Sequence, residues 1–123
     1  MSTNNVVSWF EIPSSDFDRA VGFYEKIFAK TLKREAMGAL RMAVFPYQQP
    51  GVSGAVVNGA PYEPGHTRGT VIYIDCDGQL DAVLARVKGA GGDIAFPKTE
   101  LPGMGAYAHI LDSEGNRVGL HSL

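Results

Sequence analysis

The stretch WFEIPSSDFDRAVGFYEKIF (residues 9–28) joins an apolar extended run to an amphipathic helix, and the rest of the chain is read outward from it. The apolar run 6–13 ends at Pro13, which removes a ladder donor and closes a strand. Ser15 with Asp18 three residues on has the form of a capping box. Behind it Phe17, Ala20, Val21, Tyr24, Ile27 and Phe28 recur on one helical stripe.

Three short extended pieces follow, around Leu32–Met37, at 40–46 and at 52–57. Residues 58–69 then concentrate glycine, proline and polar side chains and read as a linker. The pattern starts again with a strand at 70–76 and a helix carrying Leu80, Val83, Leu84 and Val87, which stops at glycines 89, 91 and 92. Strands at 93–97, 105–112 and 117–122 complete a second half. Setting Asp18 on Asp81 aligns the helix starts at an offset of 81 − 18 = 63, and setting Gly54 on Gly119 aligns the last strands at 119 − 54 = 65. Two such close offsets indicate duplication. The chain is therefore expected to be one domain over 1–123, with one βαβββ module over about 6–57, a linker over about 58–69 and a second module over about 70–122.

Composition removes several functions. A chain of 123 residues, 45% hydrophobic with net charge −2, supports one core and offers no basic field for nucleic acid. The N-terminal stretch lacks a signal-peptide pattern and no apolar run approaches a membrane span, so no membrane partner and a cytoplasmic location are expected. The single cysteine, Cys76, excludes an intrachain disulfide and any multi-cysteine zinc site, and reads as a small apolar strand residue.

The helix segment, with Asp16, Arg19, Ala20, Phe23 and Tyr24, together with the closing turn DSEGNRVGLH (112–121), resembles the vicinal oxygen chelate superfamily, which includes glyoxalase I, extradiol dioxygenases and bleomycin-resistance proteins. The resemblance covers about residues 6–122. It implies an α+β fold of two βαβββ modules whose sheet curves around an open cleft, with the helices outside. It also implies four metal-ligand positions, which fall on Trp9, Gly54, Val71 within one residue, and Gly119. None carries a metal-binding side chain, so no metal or other cofactor is expected. A displaced site on Glu11 and His121 would supply only two donors.

Strand alternation then proposes a second tier. The faces of Trp9, Gly54, Val71 and Gly119 are expected to carry Glu11, Val56, Tyr73 and His121 one step along. In this reading Gly54 and Gly119 leave room beside Trp9 for a ligand, Val56 and Val71 line it, and Glu11, Tyr73 and His121 orient a polar group or move a proton. The competing reading is that Glu11 and His121 satisfy each other inside a filled interior. His109 and His66 are expected in surface or packing roles, and the 102–105 segment as a plain turn. Two functions stay open: a lyase or isomerase using proton transfer, or a bleomycin-resistance-like protein that sequesters a drug or metabolite. A homodimer is expected in either case.

Overall fold

The computed structural model describes residues 7–65 and 69–123; His66 and the first six residues lie outside them. The first half runs β1 (Trp9–Pro13), α1 (Phe17–Phe28), β2 (Lys33–Met37), β3 (Leu40–Val44) and β4 (Ser53–Asn58). The second runs β5 (Tyr73–Asp75), α2 (Leu80–Val87), a 3-10 turn at Lys88–Ala90, β6 (Asp93–Leu101), β7 (Gly105–Leu111) and β8 (Arg117–Ser122). Each half forms a four-stranded mixed sheet, in the orders β1-β4-β3-β2 and β5-β8-β7-β6. In both, the first strand pairs parallel to the fourth, because the helix crossover returns the chain in the same direction. The α+β architecture expected from the sequence is thus present.

Helix α1 forms as its stripe requires, with Phe17, Ala20, Val21, Tyr24 and Ile27 buried and Phe28 half-buried. Phe23 is buried as well, because α1 packs on both its own sheet and α2. The cap differs from expectation. Asp16 is the N-cap, its carboxylate accepting from the Arg19 N–H at 3.1 Å, and Ser15 is engaged elsewhere. In α2, Leu80, Val83 and Val87 are buried and Leu84 half-buried. One core joins the halves: Ile12, Val21, Tyr24, Ile27 and Val56 pack in the same cluster as Leu80, Val83, Ile110, Val118 and Leu120.

The two modules are tied by the 112–116 turn. Asp112 accepts from the buried Tyr24 hydroxyl at 2.7 Å, from the backbone N–H groups of Glu114 and Asn116, and from the Asn116 amide. Asn116 donates to the Pro13 carbonyl at 2.7 Å and accepts from the Gly65 N–H. Glu114 reaches across to the start of α1, where it accepts from the N–H groups of Ser15 and Asp16, the Ser15 hydroxyl and the Arg19 guanidinium. It therefore stabilises the positive end of the helix from the other module. Gly115, with φ of 84°, makes the turn possible where a Cβ would be strained.

Burial alone would raise the Glu114 carboxyl, but Arg19, the Asp16 N–H and the hydroxyls of Ser113 and Ser15 outweigh it and hold it at about 2. A depressed carboxyl stabilises the fold above its unfolded value near 4.5, and that stability is lost as pH falls towards 2. Asp112 is shifted the other way, raised by burial against the bonds from Tyr24 and Asn116, so its own slope is opposite. Both proteins in a Glu114→Gln comparison share Asp112, so their difference isolates Glu114. The substitution should cost ~2 kcal/mol at pH 7, after discounting for solvent around Arg19, and the cost should shrink between pH 4.5 and 2. Urea unfolding across that range checks it; a difference independent of pH would contradict the clasp.

Candidate functional site

Each sheet keeps one face against the helices and one face free of them, and the sequence-proposed residues divide between these faces. On the first sheet the register pairs Trp9 with Ser53, Phe10 with Gly54 and Glu11 with Ala55. The helix-free face therefore carries Trp9, Glu11, Ser53, Ala55 and Val57, continued by Met42 and Val44 from β3. Gly54 and Val56 lie on the opposite side. Val56 is a fully buried core residue, and a Cβ on Gly54 would come within 2.5 Å of the Phe10 ring. This corrects the expected tier. Matching Gly54 to Gly119 misplaces β4 by one residue, and one residue moves a whole strand to the other face. The cause is that Ser53 to Val57 are all buried, so the strand shows no alternation from which to read its register.

Glu11 is held by the linker. The Tyr62 hydroxyl donates to its carboxylate at 2.5 Å, and Tyr62 lies over Met42, Val44, Ala55 and Val57 as a small second core. A cavity of about 640 Å³ remains beside it, walled by Trp9, Tyr47 and Tyr62 with Met37 and Lys33. A second cavity of about 760 Å³ lies between the modules, lined by Phe10, Phe28, Phe45, Ile72 and Ile74 and also by Val71.

The second sheet follows the expected faces. Tyr73 pairs with Gly119 and Asp75 with His121, so these share the helix-free side, while Ile74 and Leu120 face the core. Gly119 does not leave a vacancy. The Tyr73 ring lies over it, and a Cβ there would sit 2.4 Å from a ring carbon. The register sets Tyr73, Gly119, His109 and Phe96 in one row across the four strands. Because the middle of that row has no side chain, Tyr73 and His109 meet above it, with Tyr73 Oη 2.6 Å from His109 Nε2. Tyr107 and Phe96 complete a cluster of four rings whose neighbouring centroids lie 5.3 to 6.2 Å apart. Tyr73 and Phe96 are 52% and 43% exposed, so the cluster is a surface and not a core.

His109, expected in a surface or packing role, is thus central to this face, and Tyr107, Phe96 and Arg117 were not singled out at all. The available signal was the alternation Tyr107, His109, Leu111 along GAYAHIL, in register with Gly119 and His121. His121 itself turns to the 102–105 turn, where its Nε2 lies 2.8 Å from the Met104 carbonyl oxygen. Glu11 and His121 therefore sit on different sheets with different partners. Among the described residues, no hydrogen bond joins the two helix-free faces. Cys76 is buried just beyond β5, and burial pushes its thiol up to about 11, which keeps it protonated.

The four positions that the family resemblance assigns to a metal read here Trp9, Gly54, Val71 and Gly119. Replacing Gly54 by Ser53, its neighbour on the correct face, adds only a hydroxyl that already donates to the Phe45 carbonyl. This donor set does not fit a divalent cation. Among the described residues no group of three or more His, Cys, Asp or Glu side chains converges on a point, and no helix is long and apolar enough to cross a membrane.

Comparison with known proteins agrees with this architecture. The family described as the Glyoxalase/Bleomycin resistance protein/Dioxygenase superfamily matches residues 6–120. The chain belongs to that superfamily. Among solved structures it is similar to a glyoxalase/bleomycin resistance protein from Albidiferax ferrireducens, with 16% identity, a TM-score of 0.75 and coverage of 97% of this chain and 99% of the other. It is also similar to the fosfomycin resistance protein FosX from Listeria monocytogenes, at 14% identity, TM-score 0.64 and coverage of 99% and 93%. A glyoxalase I mutant from Zea mays matches at 20% identity and TM-score 0.64, with 93% of this chain covering 44% of that one. At these identities the likeness is one of fold. No curated protein sequence matches the chain.

His109 is held below the usual imidazole range, first by desolvation and then by the Arg117 charge beside it. Its unfolded form binds protons more readily, so lowering pH through the ordinary histidine range costs stability at this face. Arg117→Met should raise the His109 value and reduce that loss, as followed by ring NMR signals against pH; an unchanged titration would contradict the contact.

Proposed function

We propose that the protein is a metal-free small-molecule-binding member of its superfamily, closer in action to the bleomycin-resistance proteins than to the lyases, and that two copies associate to close its cleft. The observation that carries this reading is the exposed cluster of Tyr73, Phe96, Tyr107 and His109, since flat rings with a few fixed polar atoms are the usual lining of ligand sites. The first module adds the cavity walled by Trp9 and Tyr47, with the Glu11 carboxylate at its side. Trp9, Met37 and Tyr47 around the first cavity, and Tyr73 and Phe96 in the ring cluster, are exposed large apolar side chains that a second copy would cover.

Proton transfer by Glu11 with His121, the lyase or isomerase reading, needs both groups in one cleft. Within one chain they are apart, so that chemistry would require the first module of one copy to face the second module of another. The binding reading needs no such meeting. Of the residues proposed from the sequence, Trp9, Tyr73 and Glu11 keep places on ligand-accessible faces in it, Val71 borders the cavity between modules, and Gly119 acts through Tyr73.

Sedimentation at micromolar concentration should give a dimer, and Met37→Glu should shift it towards monomer; a monomeric wild type would contradict the shared cleft. In a thermal-shift screen of small aromatic compounds, those that stabilise the wild type should lose that effect in Tyr107→Ala. Equal stabilisation of both proteins would remove the ring cluster from the site. Elemental analysis after chelator-free purification should find no stoichiometric metal, and about one divalent ion per chain would overturn the metal-free reading.

A further inference from the structure

We propose that Tyr73, His109 and Arg117 form a hydrogen-bond relay that presents the Tyr73 phenol proton to an oxygen acceptor of an aromatic ligand, an arene carboxylate or a similar oxyanion. The inference rests on the binding reading above and adds the chemical class of the ligand. It begins with Arg117, whose Nη1 lies 2.8 Å from His109 Nδ1. A guanidinium has donors and no acceptor, so Nδ1 must be the lone pair in that contact. A neutral imidazole then carries its proton on Nε2 and donates it to Tyr73 Oη, 2.6 Å away.

The direction of every proton in the chain follows. Arg117 donates to His109, His109 donates to Tyr73, and the Tyr73 hydrogen must point elsewhere. Among the described residues the Tyr73 hydroxyl has no other partner, and the ring is half exposed on the helix-free face. A hydroxyl that accepts one hydrogen bond is a stronger donor in the next. A ligand ring resting on Tyr107 and Phe96, themselves stacked at 5.9 Å, would have its oxygen within reach of that donor. Arg117 supplies a positive charge behind the relay, and no carboxylate pairs with it among the described residues. Two acidic groups stand on this face in the rows beside it, Asp75 and Asp93, and their carboxylates accept from the N–H groups of Asp77 and Ile94, each at 2.8 Å. Arg117 is the charged group in contact with the relay itself, so the acceptor favoured at the Tyr73 hydroxyl is a negatively charged one.

Gly119 is the enabling position. Strands lie about 4.8 Å apart, so Tyr73 and His109 stand roughly 10 Å apart at their backbones with β8 between them. Only a residue without a side chain lets the phenol cross to the imidazole. The place where the family resemblance expects a metal-binding carboxylate is thus used to join a donor to its support.

The test compares benzoate with benzylammonium, which share a ring but differ in charge and in having an acceptor. Calorimetric titration of the wild type should favour benzoate by at least about tenfold, the effect of one charge-assisted hydrogen bond. Tyr73→Phe keeps a ring over Gly119 and should fold, and it should remove most of that preference by weakening benzoate. Nitrogen NMR of the imidazole should show His109 protonated at Nε2. Equal binding of the two probes to the wild type, undiminished benzoate binding in Tyr73→Phe, or protonation at Nδ1 would each overturn the relay. If the probes bind equally and Tyr107→Ala abolishes both, the ring face still binds ligands and only the relay fails. If neither probe responds to Tyr107→Ala, the binding reading of this face fails with it.

Discussion

The carboxylate of Asp112 sets the relation between the two modules. It is buried, and burial opposes its charge, yet it accepts from Tyr24, from two backbone N–H groups and from Asn116. Leaving any of these donors without a partner would cost about 1–3 kcal/mol, so the turn has little freedom to move away from α1. Glu114 and Asn116 extend the same turn to the helix start and to the end of β1. The result is that both helices share one core and both sheets turn their other faces outwards.

Those outward faces differ while the inward faces are alike. Against the helices both sheets present small and branched apolar residues, as in Ile12, Ala43 and Val56 or Ala106, Ile110 and Val118. Outside, the first sheet is covered in part by the linker through Tyr62, and the second carries the open ring cluster. Two halves of like topology can differ in this way because the inward face decides stability and the outward face is free to carry a site. Gly54 and Gly119 show the difference in miniature. Each lies under an aromatic ring from the paired first strand, but Phe10 packs into the interior and Tyr73 lies on the outer face.

Much of this was legible in the sequence. The α1 stripe from Phe17 to Ile27 and the repeated order of strands and helix led to the right architecture, because amphipathic periodicity reports burial directly. Alternation along β5 and β8 places Tyr73, Gly119 and His121 on the correct side. The strand SGAVVN did not alternate, and there the expected faces of Gly54 and Val56 were reversed. The expected neighbourhood of Glu11 and His121 was not legible for a different reason: alternation orders residues within one sheet and carries no information on how two sheets are set against each other. His109 carries no ligand signal in the sequence because a lone histidine has no ligand spacing, and its meaning comes only from Arg117 and Tyr73 on other strands.

If the protein binds ligands as proposed, its working surface is the outer face of the second module. Intermolecular NOEs between unlabelled benzoate and the carbon-labelled protein locate the ligand directly. The account requires contacts to Tyr73, Phe96 and Tyr107. Contacts confined to Phe10, Phe28, Phe45, Ile72 and Ile74, which line the cavity between the modules, would contradict it.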